Sequence, residues 1–139
     1  MIPTITIRKV QPDDFSRIVE LNAAAVLHTS VMDIERLAEL DTLSSYHNVI
    51  LVNGSLAGFL LAMRESTPYR NDNFAFFAAR YEKFVYIDRI VIDPDFAGLK
   101  LGSMLYRDLF DYTRQNAIPV LTCEYNINPP NKPSRQIHD

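Results

Sequence analysis

Apolar and polar residues alternate at the start of the chain. Ile5, Ile7 and Lys9 fall on one side and Thr6, Arg8 and Val10 on the other, a period of two that predicts a strand over Thr4–Val10. Gln11-Pro12-Asp13-Asp14 then reads as a helix start, with acids at the positive end of the helix dipole. Phe15, Ile18, Val19, Leu21 and Asn22 recur at helical spacing, so a first helix is expected from Pro12 to Ala25. A second, shorter helix is expected over Asp33–Leu40, with Asp33 as its cap. Two apolar runs, Asn48–Val52 and Leu56–Met63, flank Asn53-Gly54, a strong hairpin signal because a type I′ turn needs positive φ at both central residues.

The pattern loosens from Glu65 to Lys83, a long aromatic-rich connection in which only Phe74–Tyr81 is helix-compatible. It tightens again at FVYIDRIVI, Phe84–Ile92, whose β-branched and aromatic content suits a central strand covered on both faces. Leu101, Met104, Leu105, Leu109, Phe110 and Tyr112 predict a helix ending at Asn116, and PVLTCEY, Pro119–Tyr125, predicts a last strand. After the proline-bearing turn NINPPNKP, Ser134 is placed to cap one more helix. The order is strand, helix, helix, hairpin, strand, helix, strand and helix start, which makes residues 1–139 one mixed α/β (α+β) domain.

Composition changes this picture little. The chain of 139 residues is 47% hydrophobic and 22% charged, with a net charge of -3, so no basic field suggests nucleic acid or an anionic membrane. No apolar run approaches a membrane span, and a secretory core is not seen at the N-terminus. The single cysteine, Cys123, excludes an internal disulfide framework and fits a reducing compartment, so the expected location is cytoplasmic. His28 and His47 form no metal-ligand spacing, and no metal is expected.

The candidate chemistry lies in VIDPDFAGLKLGSMLY, where a strand runs through Asp-Pro into a loop and opens directly into a helix. The chain has only 4 glycines and places Gly98 and Gly102 here. A helix N-terminus presents unpaired N–H donors, and glycine lets a phosphate approach the backbone. This segment resembles that of the GCN5-related N-acetyltransferases (GNAT), in which a strand ending Val-x-Pro meets a Gln/Arg-x-x-Gly-x-Gly/Ala loop and a helix. The matching residues are Ile92-Asp93-Pro94 and Ala97-Gly98-Leu99-Lys100-Leu101-Gly102. Downstream, Cys123-Glu124 and Asn131, Ser134, Ile137 and His138 are similar to the family's last motif, most of all in a bacterial subgroup of predicted acetyltransferases.

The resemblance implies an acyl-CoA N-acyltransferase fold with a central, mostly antiparallel, twisted sheet flanked by helices. It implies acetyl-CoA as cosubstrate, transferring acetyl to a primary amine of a small molecule or peptide. Ile90, Val91 and Ile92 would bind the pantetheine arm through strand backbone, and Ala97, Gly98, Leu99, Lys100, Leu101, Gly102 and Ser103 the pyrophosphate. Asn131 would bond the cofactor's amide or support the proline turn. Glu124 is the expected general base, and His138 falls where the family has a tyrosine that protonates the thiolate. Ala97 replaces the usual Gln or Arg, and Lys100 replaces a glycine. The family continues through its last helix and two further strands, so either a partner fills that space or the chain is a shortened or degenerate member; the alternative to acetyl transfer is a non-catalytic CoA-binding or partner-completed interaction module of the same fold. An unfinished sheet edge after Tyr125 would favour a homo-oligomer.

Asp88 is the alternative base. A carboxylate inside an apolar strand needs a partner, and strict alternation puts Asp88 on the face of Tyr86 and Ile90, with Arg89 on the other. Tyr69, Phe77 and Tyr81, with Arg70 and Arg80 able to meet an acidic group, are the expected acceptor wall or, equally, aromatics packed over the sheet.

Overall fold

The computed structural model describes residues 2–25 and 32–123. Among the described residues, five strands form one sheet in chain order: β1 (Ile5–Lys9), β2 (Tyr46–Val52), β3 (Ser55–Arg64), β4 (Val85–Ile92) and β5 (Leu121–Cys123). All neighbours are antiparallel except β4 and β5, which are parallel. A parallel pair needs a crossover, and here it is the helix Leu101–Gln115. The remaining helices are α1 (Phe15–Ala24), α2 (Ile34–Leu43) and the short α3 (Asp72–Ala78), so the crossover is α4. The fold is the mixed, mostly antiparallel α/β architecture expected.

Each element follows from its residues. Pro12–Asp14 forms a 3-10 turn ahead of α1 rather than its first turn, with Asp14 Oδ2 accepting from the Gln11 N–H at 2.8 Å. Asp33 caps α2 as expected, its carboxylate accepting from the Arg36 N–H at 2.7 Å. That helix runs on to Leu43, past the expected end at Leu40. In the hairpin turn Asn53 has φ 51° and Gly54 φ 83°, the positive pair the turn type requires. α3 starts earlier than Phe74 because Asn71 caps it, accepting from the Phe74 N–H at 3.0 Å.

The sheet separates two cores. On one face Ile18 and Leu21 of α1 and Leu37 and Leu40 of α2 meet Phe59, Leu61, Met63, Phe84 and Tyr86. On the other, Leu101, Leu105 and Leu109, an i, i+4, i+8 stripe on α4, cover Ile50, Leu60, Val85 and Ile87. Burying each such leucine contributes about 1.5–3 kcal/mol. This double cover explains why β4 carries an almost unbroken apolar run.

The pairing of β3 with β4 carries a bulge. Leu61 faces Arg89 and Ala62 faces Ile87, which leaves Asp88 as an extra residue without a partner on β3. The alternation of β4 is thereby reset. Tyr86 belongs to the α1–α2 face, but beyond the bulge it is Val91 that lies there, while Ile90 and Ile92 turn to the α4 face.

Candidate functional site: the end of β4, its loop and the head of α4

β4 is long enough to run past the described part of its parallel neighbour. β5 pairs with Val85, Tyr86 and Ile87, the last opposite Cys123, so Asp88–Ile92 extends beyond that pairing. Ile90, Val91 and Ile92 are held from the other side by Leu60, Phe59 and Gly58. Gly58 is needed there: a Cβ on it would stand 2.6 Å from Ile92 Cδ1 and 2.8 Å from the Val91 carbonyl oxygen.

The chain leaves β4 through a braced corner. The Asp93 N–H donates to the Ala57 carbonyl at 2.8 Å, and Asp93 Oδ1 accepts from the Asp95 N–H at 2.9 Å. Asp93 Oδ2 takes Arg17 of α1 at 2.5 Å, so the first helix grips the exit of the strand. Pro94–Phe96 form a 3-10 turn closed by the Ala97 N–H on the Pro94 carbonyl at 3.1 Å. Gly98 then turns at φ 89°, and Lys100 adopts φ 61°, ψ 35° at the N-cap of α4.

The first helical bond is that of Met104 N–H to the Lys100 carbonyl, at 3.2 Å. Among the described residues, the N–H groups of Gly98, Leu99, Lys100, Leu101, Gly102 and Ser103 have no acceptor in the fold. Ala97 differs from the expectation, since its N–H is already used; the donor set begins at Gly98. Among the described residues, none gives Gly102 a packing reason to be glycine. A Cβ there would meet nothing closer among them than Ile92 Cγ1 at 3.9 Å, an ordinary contact. What its bareness leaves open is space in front of the donors.

Asp88 and Arg89 are corrected by the bulge. Both side chains occupy the α1–α2 face, and Arg89 Nε donates to Asp88 Oδ2 at 2.6 Å, so the neighbouring arginine is the partner after all. Tyr69 donates its hydroxyl to Asp88 Oδ1, Arg89 also donates to Asn22 Oδ1 at 3.1 Å, and Tyr86 donates to Asn71 Oδ1 at 3.2 Å. The Asp88 side chain is 0% exposed and that of Arg89 5%. Sequence reasoning missed Arg17, Asn22 and Asn71. Only Asn22 left a signal, as a polar residue in the apolar stripe of α1.

The aromatic segment divides in two. Tyr69 and Phe74 are buried and pack on Tyr86 with ring centroids 6.1 and 5.5 Å apart. Phe77 also reaches Tyr86, at 6.1 Å, and stacks on its other side with the exposed Tyr81 at 6.5 Å. Arg80 lies over the exposed ring of Phe76, 3.5 Å from its centroid, and Arg70 is exposed. Glu124, Asn131 and His138 lie outside the described residues, as does the expected helix start at Ser134.

A strand edge, a braced corner and six unspent amides at a helix head come together at this end of the sheet. Residues 12–138 match the acetyltransferase (GNAT) family, and the chain belongs to it. Among solved structures it is similar to yncA of Salmonella typhimurium, solved with its cofactor acetyl-CoA. That match has 26% identity over 97% of this chain and 76% of that one, with a TM-score of 0.68. The aminoglycoside N-acetyltransferase AAC(6')-Iy in complex with CoA shares 14% identity over 99% and 86%, at a TM-score of 0.69. Ard1 of Thermoplasma volcanium shares 17% over 84% and 68%, at 0.68. The curated proteins contain no match.

Proposed function

We propose that this protein is an acetyl-CoA-dependent N-acetyltransferase that passes the acetyl group directly to the primary amine of a small molecule or peptide. The observation that carries the reading is the run of N–H groups from Gly98 to Ser103 left unspent at the start of α4. Helix N-termini favour anions through these donors and the macrodipole, and the family to which the chain belongs supplies the matching polyanion. In this reading the diphosphate sits on Gly98–Ser103, Lys100 adds a cation beside it, and the pantetheine arm runs along Ile90–Ile92. The fit rests on the open amides and on the space in front of Gly102.

In the transfer, a neutral amine attacks the thioester carbonyl, a C–N bond forms and the C–S bond breaks. The amine proton passes to a base and the CoA thiolate takes one up. Glu124 is the proposed base and His138 the proposed donor to the thiolate, on the family resemblance, which also assigns Asn131 to the cofactor. Asp88 is better suited to orienting than to accepting a proton, because Tyr69 and Arg89 occupy both of its oxygens. The outer edge of the aromatic segment, half-buried Phe77 and exposed Tyr81 flanked by Arg70 and Arg80, is the proposed acceptor side. Much of the acceleration then comes from positioning.

Calorimetry with acetyl-CoA tests the cosubstrate. Binding is expected for the native chain and its loss for Gly102→Asp, which adds bulk and negative charge in front of the amides; equal heats for both would remove the reading. A thiol-release assay over an amine panel then separates turnover from binding alone.

A further inference from the structure

A second concave site lies on the α4 face, across the sheet from Tyr69 and the aromatic segment. It is a pocket of about 370 Å³ between the end of β1, the start of β2 and the C-terminal half of α4. That is near the small end of ligand pockets, about 300–1,000 Å³. Asp108, Asp111 and Tyr112 stand three and four residues apart, so one face of α4 supplies that wall. Ten or so residues separate this wall from the head of α4, about 15 Å at helical rise.

The pocket has a pre-set carboxylate. Asp108 Oδ2 accepts from the Tyr46 hydroxyl at 2.6 Å and from Asn48 Nδ2 at 3.1 Å. Both bonds fall on one oxygen; among the described residues, Oδ1 takes none. Burial, then the bond to Asp108, push the Tyr46 phenol far above its ordinary range, so it stays a donor and holds the carboxylate in place. The rings of Tyr46 and Tyr112 meet edge to face at 5.5 Å, forming an aromatic corner beside it. A fixed carboxylate next to aromatic rings is the chemistry that recognises an organic ammonium. Lys9, exposed, also lines the pocket. It disfavours a guest that is only cationic and suits one that also carries a carboxylate.

We propose that this pocket binds a small zwitterion bearing an alkyl ammonium and a carboxylate, the chemistry of a free amino acid. The ammonium meets Asp108 and the Tyr46–Tyr112 corner, and the carboxylate meets Lys9. The site is independent of the acetyl-CoA reading, because it uses the opposite end of α4.

The test is a titration of ¹⁵N-labelled protein with γ-aminobutyrate and L-glutamine, read on the side-chain amides of Asn48 and Gln115. Both resonances are expected to shift and saturate, with putrescine and glutarate binding more weakly because each lacks one charge. Asp108→Asn, which can keep the Tyr46 contact, should weaken binding by about tenfold or more. Should that variant fail to fold, Lys9→Gln, which removes the cation proposed for the guest's carboxylate and leaves the Tyr46 and Asn48 bonds alone, should weaken binding in the same direction. Absence of saturation by about 10 mM, binding unaltered in the folded variant, or tighter binding of putrescine than of either zwitterion overturns the proposal. Repeating the titration with CoA present keeps the outcome separate from that of the cosubstrate site.

Discussion

Lys100 joins two opposing effects in one residue. Its left-handed conformation, φ 61° and ψ 35°, is one that a side chain bearing a Cβ adopts at about 1–2 kcal/mol. In the proposed cosubstrate site its ammonium would add to the pull of the six unspent amides on a diphosphate. Lys100→Gly should therefore raise unfolding stability by about 0.5–1 kcal/mol in urea, after the greater freedom of glycine in the unfolded chain is subtracted. The same change should lower acetyl-CoA affinity several-fold and flatten its dependence on salt, since a screened cation has gone. Stability and affinity moving in the same direction would contradict this account. Gly58 is a simpler case. With contacts of 2.6 and 2.8 Å awaiting a Cβ, one of them from backbone, Gly58→Ala should force β3 and β4 apart. A loss of about 1–3 kcal/mol in urea unfolding is expected.

At the scale of elements, what was legible in the sequence was local. The Asn53-Gly54 hairpin, the cap at Asp33 and the strand, loop and helix around Gly98 each rest on residues a few positions apart, and each stands in the structure. The bulge at Asp88 does not, because it is a property of how β4 meets β3, and nothing in FVYIDRIVI marks the extra residue. Strict alternation consequently placed Arg89 on the wrong face. Its real position makes a testable statement about the pair. Arg89→Ala leaves the Asp88 carboxylate, 0% exposed, with its charge uncompensated. A loss of about 3–5 kcal/mol is expected. Asp88→Asn/Arg89→Met should lose less than the two single changes summed, since it removes both charges together. Urea unfolding of the four proteins in the cycle measures the coupling; strictly additive losses would mean that the pair contributes nothing as a pair.

Contacts spanning the whole molecule were the least legible, because no spacing rule links residues as distant as Arg17 and Asp93, or Tyr46 and Asp108. His47 belongs to the same group. It was read only as a histidine without metal-ligand neighbours, yet it sits 3% exposed where β2 meets α2. Its Nδ1 lies 2.8 Å from Asp41 Oδ1, and its Nε2 is buried with no partner among the described residues. Burial pushes the imidazole below its ordinary value, and the nearby Asp41 and Asp14 carboxylates offset only part of that. The folded state thus binds the proton less readily than the unfolded one, whose histidine titrates near about 6.5. Above that pH both states are neutral and stability is flat. As pH falls through it the unfolded chain takes up the proton first, and stability drops until the depressed folded value is reached. Between pH 7.5 and 5.5 the native protein should lose up to about 1.4 kcal/mol, and His47→Gln should lose almost none of it. Asp14, held below its usual range chiefly by Arg8, keeps its contribution above the ordinary carboxylate range and loses it only in more acid solution. The interval therefore lies above the carboxylates, and an equal decline in the variant would assign the sensitivity to other groups, the two further histidines included.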